Sequence, residues 1–167
     1  MRKTKLIVSV LLMLALCLSV TACSSSSKIF FTTQDLDGKN VYGDEIFAAN
    51  EVTMVNLFAT WCGPCMAELP DLAKISKEYK GKGVQVLGIC LDQNAATNAK
   101  EIKNKLKSCG VNYQIIINNS EIEDVFRSQY IPATFFVDSD GKIIGEPIVG
   151  ADVEAYKTRL NEILSVN

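Results

Sequence analysis

The sequence predicts an α/β sandwich built on one mixed central sheet, with helices on both faces, and three observations predict it. Two near-continuous apolar runs, residues 51–59 and 84–91, suit strands buried on both sides. Between them Met66, Leu69, Leu72, Ile75 and Tyr79 recur at helical spacing. After a further helix, strand and helix, residues 133–138 and 142–149 bracket Asp138-Ser139-Asp140-Gly141 as a hairpin ahead of a last helix.

Taken in order, residues 29–33 and 39–42 flank Asp37-Gly38, a hairpin turn signal. The run 51–59, with Val52, Met54, Val55, Leu57 and Phe58, is the central strand. Residues 64–80 form the first long helix, in which Pro70 is expected to kink the axis because proline removes a hydrogen bond and crowds the preceding turn. Residues 84–91 give the second strand, 95–108 a polar-faced helix ending at Gly110, 113–117 a third strand and 121–128 a short helix. Asp152 is a suitable N-cap for the final helix, which reaches about Leu164.

The first 22 residues are of another kind. Arg2, Lys3 and Lys5 precede fifteen apolar or small residues from Leu6 to Val20, the layout of a secretory signal segment and too short for a comfortable membrane span. Val20-Thr21-Ala22-Cys23 resembles a bacterial lipoprotein box, which implies a signal peptide over 1–22, lipid on Cys23, and a lipid-anchored chain outside the cytoplasmic membrane. An ordinary cleaved signal with a chance cysteine is the alternative. Ser24 to Ser27 make a flexible tether, so 23–28 is linker and 29–167 one domain. Loss of three basic residues with the signal leaves 14 Lys and Arg against 19 acids. A chain of that size buries close to 70% of its unfolded surface and folds without a disulfide framework.

Composition excludes several chemistries. The 167 residues hold six cysteines and no histidine, so no Ser/His/Asp triad, Cys-His dyad or His-ligated metal is available. A net charge of −2, with no basic run beyond the N-terminus, makes nucleic acid a poor partner. Cysteines kept in an exported domain are free for redox work or structural bonds.

Trp61-Cys62-Gly63-Pro64-Cys65 falls where the central strand ends and the long helix begins. Disulfide exchange needs a thiolate, and the unsatisfied N–H groups and positive end of a helix favour one. Cys62 is the expected accessible nucleophile; Cys65, one turn inside the helix, is placed to attack the mixed disulfide. Gly63 lets another chain approach, and Pro64 suits the first helical turn. A purely structural disulfide and a zinc half-site completed by Cys90 and Cys109 are the bland alternatives; no metal is expected.

Residues 55–70, VNLFATWCGPCMAELP, resemble the thioredoxin superfamily, and more closely its membrane-anchored extracytoplasmic TlpA/ResA-type thiol-disulfide oxidoreductases. The resemblance runs from about Phe30 to Leu164 and implies a thioredoxin-like three-layer sandwich with an N-terminal hairpin and an inserted helix-strand-helix. It implies that Cys62 and Cys65 form a redox-active disulfide with no further cofactor. Pro132 matches the cis-proline that faces the CxxC, and the backbone of Ile131 the segment that docks a substrate strand. Cytosolic thioredoxins carry a buried Asp at the position of Asn56; here Glu68, three residues after Cys65 on the same helical face, matches the glutamate of the TlpA/ResA branch and is implied as the proton acceptor for Cys65.

The implied partners are disulfide-containing exported proteins and a membrane electron donor, with the protein a monomer held at the membrane by its lipid. A disulfide oxidase or isomerase, a peroxiredoxin-like antioxidant protein, and a non-catalytic binding lipoprotein remain as other readings. The peroxiredoxin reading lacks a Thr-x-x-Cys to rest on. Cys90 and Cys109 fall at opposite ends of a right-handed crossover, too far apart to bond, and Cys90 is expected to be apolar filler.

Overall fold

Strand β3, Val52–Phe58, is buried at every position, as a central strand covered on both faces must be. It pairs in parallel with β4, Val84–Cys90, and antiparallel with β6, Ala133–Asp138. Strands β5, Gln114–Ile117, and β7, Ile148–Val149, complete a five-stranded mixed sheet ordered β5-β4-β3-β6-β7. The computed structural model describes residues 28–166. The expected signal segment and Cys23 lie outside the described residues.

Connections fix which face each helix covers. The crossovers β3–α2–β4 and β4–α3–β5 step the same way across the sheet, so α2, Gly63–Tyr79, and α3, Ala99–Ser108, share a face. Helix α5, Val153–Val166, joins them. Leu69, Leu72, Ile75, Ile102, Leu106, Tyr156 and Leu160 fill that layer against Met54, Phe58, Val86 and Phe136. The return from β5 to β6 brings α4, Ser120–Val125, to the other face. There Ile122 and Phe126 pack with Phe31, Ile46 and Phe47 on Val55, Leu57, Leu87 and Phe135. The result is a three-layer sandwich, with the helix-strand-helix of α3, β5 and α4 inserted between β4 and β6.

Four local features add detail to the sequence expectations. The N-terminal hairpin forms, but β1, Thr32–Gln34, and β2, Asn40–Tyr42, make a separate two-stranded sheet. A short helix follows, α1, Gly43–Ala48, whose spacing the sequence did not advertise; at Gly43 an added Cβ would lie 2.7 Å from the Phe31 ring, so only glycine lets helix and ring meet. Helix α2 runs unbroken through Pro70, whose missing N–H forfeits one bond to Met66 without dividing the helix. Helix α3 starts at Ala99 because Asn94 sits at φ 57° and residues 93–98 spend themselves on turns.

The closing hairpin is mostly not strand. Val137 bridges Ile143 and Thr134 pairs with Ile148, so the second strand inserts two extra residues around Gly145-Glu146-Pro147. Gly145 at φ 66° and a proline without an N–H cannot continue the ladder. Tertiary pairing resumes only at Ile148, which places Gly150 beside Pro132: the Gly150 N–H donates to the Pro132 carbonyl at 2.8 Å.

Candidate active site

The site stands at the C-terminal end of β3, where the chain turns through Ala59, Thr60 and Trp61 into α2. Cys62 is the N-cap of α2, in extended conformation, and Pro64 lies in the first turn. The Cys62 sulfur accepts a hydrogen bond from the Cys65 N–H at 3.3 Å, the position in which helix-end N–H groups would hold a thiolate. Cys62 and Cys65 are joined as a disulfide with Cα atoms 5.3 Å apart. Cys65 is fully buried, whereas Cys62 keeps 7% exposure, so the less enclosed member of the pair is the first cysteine.

The surroundings of Cys62 are open on one side. Gly63 and Pro64 are exposed, an added Cβ on Gly63 would meet nothing within 4 Å, and Trp61 stands 72% exposed beside them. Across from the disulfide, the Ile131–Pro132 peptide is cis, and the Ile131 carbonyl oxygen lies 3.8 Å from the Cys62 sulfur. The structure therefore brings Trp61, Cys62, Gly63, Pro64, Cys65, Ile131 and Pro132 together. A groove lined by Leu57, Leu91, Phe126, Ser128 and Gln129 runs along the same end of the sheet.

Glu68 lies beneath this surface, 3% exposed on the inner face of α2. Its Oε1 accepts from Asn56 Nδ2 at 2.8 Å, and its Oε2 is 2.9 Å from the Tyr156 hydroxyl. Burial pushes its pKa up, and the bonds to Asn56 and Tyr156 only partly offset that. Asn56 is the polar break in an apolar strand, and its amide also donates to Thr134 Oγ1 at 3.1 Å, so one buried polar network ties β3, α2, β6 and α5.

A second set of contacts holds the turn before Cys62, and sequence reasoning missed it. Asp92, just past β4, accepts from the Thr60 N–H at 2.8 Å and the Thr60 hydroxyl at 2.7 Å. The Cys90 thiol donates to Asp92 at 3.2 Å. Burial pushes the Cys90 thiol up to about 12, so it stays protonated and acts as donor. Cys90 and Cys109 are unbonded thiols, and among the described residues no three acidic, Cys or His side chains gather as metal ligands. Tyr156 was also missed. With Leu160 one turn on, it reads from sequence as a core aromatic; its hydroxyl is what the sequence leaves unpartnered.

Comparison with known proteins agrees with this geometry. The chain is 30% identical over 135 residues to the thiol-disulfide oxidoreductase ResA of Bacillus thuringiensis subsp. konkukian, covering 80% of this chain and 72% of that protein. It is 26% identical over 115 residues to ResA of Bacillus subtilis, 68% of this chain, and spans 61% of that relative's length. Among solved structures, a thiol:disulfide interchange protein described as a thioredoxin family protein from Chlorobium tepidum TLS superposes with a TM-score of 0.67 at 26% identity, covering 84% of this chain and 94% of that one. The family model described as AhpC/TSA matches residues 28–145, the sandwich without β7 and α5, and on that match together with the ResA relatives the chain belongs to the AhpC/TSA family of thioredoxin-like proteins.

Proposed function

We propose that the protein is a thiol-disulfide oxidoreductase that reduces disulfides of exported proteins through Cys62 and Cys65. The observation that carries this is the asymmetric pair at the start of α2: a disulfide in which Cys62 keeps 7% exposure and faces the Ile131 carbonyl while Cys65 is fully buried. In the reduced protein, Cys62 as thiolate attacks a substrate disulfide; a bond forms from Cys62 to one substrate sulfur, the substrate S–S bond breaks, and the leaving thiolate takes a proton from water. The Cys65 thiol gives its proton to Glu68 and attacks Cys62. The Cys62–Cys65 bond forms, the mixed disulfide breaks, and the substrate leaves carrying two electrons.

Each neighbour then has a task. The Cys65 N–H and the helix end favour the Cys62 thiolate, Gly63 and Pro64 leave room for the incoming chain, and Trp61 and the Ile131–Pro132 backbone dock it. Support for a peroxiredoxin-like activity is lacking, because Cys62 is paired within a CxxC and no Thr-x-x-Cys occurs.

The same reading places the protein on the outer side of the cell membrane. Its basis is the charged and apolar start of the chain and the Val20-Thr21-Ala22-Cys23 sequence, with lipid on Cys23, Ser24 to Ser27 as tether and 29–167 as one working domain. No helix among the described residues is long and apolar enough to cross a membrane. The protein works as a monomer, and since each turnover consumes the dithiol, a membrane protein passing electrons outward restores it.

A Cys65→Ser variant tests the proposal. Expressed in cells, it is expected to accumulate in the membrane fraction as mixed disulfides between Cys62 and exported proteins, identifiable by mass spectrometry. Absence of any disulfide-linked partner, with wild-type thiols inert toward a model disulfide, would sink it. A reduction potential above about −150 mV would instead make the protein an oxidant of such substrates.

A further inference from the structure

The backbone ladder between β3 and β4 reaches as far as the Leu91 N–H, which donates to the Phe58 carbonyl at 2.8 Å. Beyond that point a side chain carries it on. Asp92 Oδ2 accepts from the Thr60 N–H at 2.8 Å and Asp92 Oδ1 from the Thr60 hydroxyl at 2.7 Å, while the Cys90 thiol donates to Oδ2 at 3.2 Å. Thr60 is the second residue of a turn closed by the Cys62 N–H, which donates to the Ala59 carbonyl at 3.1 Å. The carboxylate therefore grips the turn that carries Trp61 and Cys62.

A clamp of this shape needs no charge. An asparagine would accept from the Thr60 N–H through its oxygen and donate through its nitrogen to the Thr60 hydroxyl, which can serve as acceptor. Asp92 is an anion held by neutral donors. Among the described residues it enters no ion pair, and Lys105, whose charge it feels, is bonded to Glu101 at 3.0 Å. Burial works against the charge, but the bonds from Thr60 and Cys90 and the field of Lys105 outweigh it and hold the carboxyl below its usual range. By chain geometry the charge stands within on the order of 10 Å of the Cys62 sulfur. The other titratable groups about the turn are the Cys90 thiol, which burial pushes up to about 12 and leaves neutral, and Cys65 and Glu68 on α2.

Two opposed effects thus meet on one sulfur. The Cys65 N–H, 3.3 Å from the Cys62 sulfur, and the helix end favour a thiolate there, and a nearby anion opposes it. A dithiol whose thiolate is strongly stabilised keeps its electrons, and the pair becomes an oxidant. We propose that Asp92 is a positioning residue for disulfide exchange: acting through Thr60, it fixes the turn that presents Cys62 and sets a negative charge against the Cys62 thiolate, which keeps the pair reducing. This deepens the reading of Cys62 and Cys65 as an exchange pair and rests on it.

Equilibration of the whole protein with reduced and oxidised dithiothreitol at pH 7 tests this. In that exchange the Cys62–Cys65 bond breaks as the reagent closes its own disulfide, and two electrons and two protons pass between them. Asp92→Asn, which keeps the clamp and removes the charge, is expected to shift the equilibrium about threefold to tenfold toward the protein dithiol, a rise of about 14–30 mV in potential. Asp92→Ser, a smaller uncharged acceptor, gives an independent variant with the same expected direction. Both differences from the wild type should shrink in 1 M salt, where the Debye length falls to about 3 Å. Thr60→Val keeps the charge and loses one of the two bonds to the turn, so its potential should stand at or below that of the wild type.

An Asp92→Asn potential equal to or below the wild-type value overturns the proposal. So does a Thr60→Val potential that rises as far as that of Asp92→Asn, since loosening of the turn rather than loss of charge would then be the cause. A raised Asp92→Asn potential in a protein inert toward protein disulfides would uphold the role of Asp92 and sink the exchange reading.

Discussion

Replacing Glu68 with glutamine removes a titration while keeping the hydrogen bonds. The amide oxygen still accepts from Asn56, and the amide nitrogen stands within hydrogen-bond reach of the Tyr156 hydroxyl, which donates to Glu68 in the wild type. In the folded protein, 97% burial of the side chain's residue lifts the Glu68 pKa above its ordinary 4.5. Between that ordinary value and the folded one, the native state holds a proton that the unfolded chain has lost. Stability from Glu68 is therefore fully present below pH 4.5 and is lost as pH rises through the folded pKa. Over that window the unfolding free energy falls by about 1.4 kcal/mol per pH unit, tenfold in the equilibrium constant.

Asp92 and the other carboxylates titrate in both proteins and cancel in the comparison. Urea unfolding of the disulfide forms at pH 5, 6, 7 and 8 should show Glu68→Gln gaining on the wild type with that slope until the curves run parallel, with m-values unchanged. The pH at which they become parallel is the folded pKa of Glu68. Parallel curves across the whole range would mean that Glu68 titrates as in water, and the reasoning from its burial would fail.

Asp92→Ala should destabilise the fold by about 1–3 kcal/mol, since the Thr60 N–H and hydroxyl lose a charged acceptor that water partly replaces. Burial would raise the Asp92 pKa, but bonds from Thr60 and Cys90 and the charge of Lys105 outweigh it and leave it lowered, so its contribution is present above pH 3.8 and lost on acidification, opposite in sign to Glu68. Thermal unfolding at pH 7, with no change for Asp92→Ala, would contradict this. Gly88→Ala puts a Cβ 2.5 Å from Ile115 Cδ1 and 3.1 Å from Phe58, costing about 1–3 kcal/mol; adding Ile115→Val should recover much of it, and additive losses in chemical denaturation would rule out the clash. Native-state alkylation should label Cys109 and leave Cys90 untouched until the protein unfolds, because Cys90 is buried with its pKa pushed up to about 12; equal labelling of the two would contradict the packing.

The layers and the CxxC were legible because both have local signatures. Buried strands such as β3 and β4 write themselves as apolar runs, and Trp61 to Cys65 combines a strand end, a helix start and two thiols in five residues. Glu68 was reachable through family resemblance, since nothing in its own spacing separates it from a solvated helix glutamate. Asn56 carried a visible signal as the polar residue inside an apolar strand.

Tyr156 and Asp92 carried none. Their roles depend on which oxygens the fold brings to a hydroxyl and which N–H groups it brings to a carboxylate, 88 and 32 residues away in sequence. The short helix α1 and the interrupted closing strand were missed for a related reason. Gly43 is specified by the Phe31 ring beside it and the Gly145-to-Pro147 insertion by the place where Gly150 must meet Pro132, neither of which is a local preference.

The central claim is that Cys62 and Cys65 exchange electrons with protein disulfides. Its most direct measurement is the rate at which the protein, kept reduced by a chemical dithiol, reduces the disulfides of an unfolded protein substrate, compared among wild type, Cys62→Ser and Cys65→Ser. Turnover is expected of the wild type, none of Cys62→Ser, and a single trapped mixed disulfide per molecule of Cys65→Ser. Undiminished turnover by Cys62→Ser would contradict it.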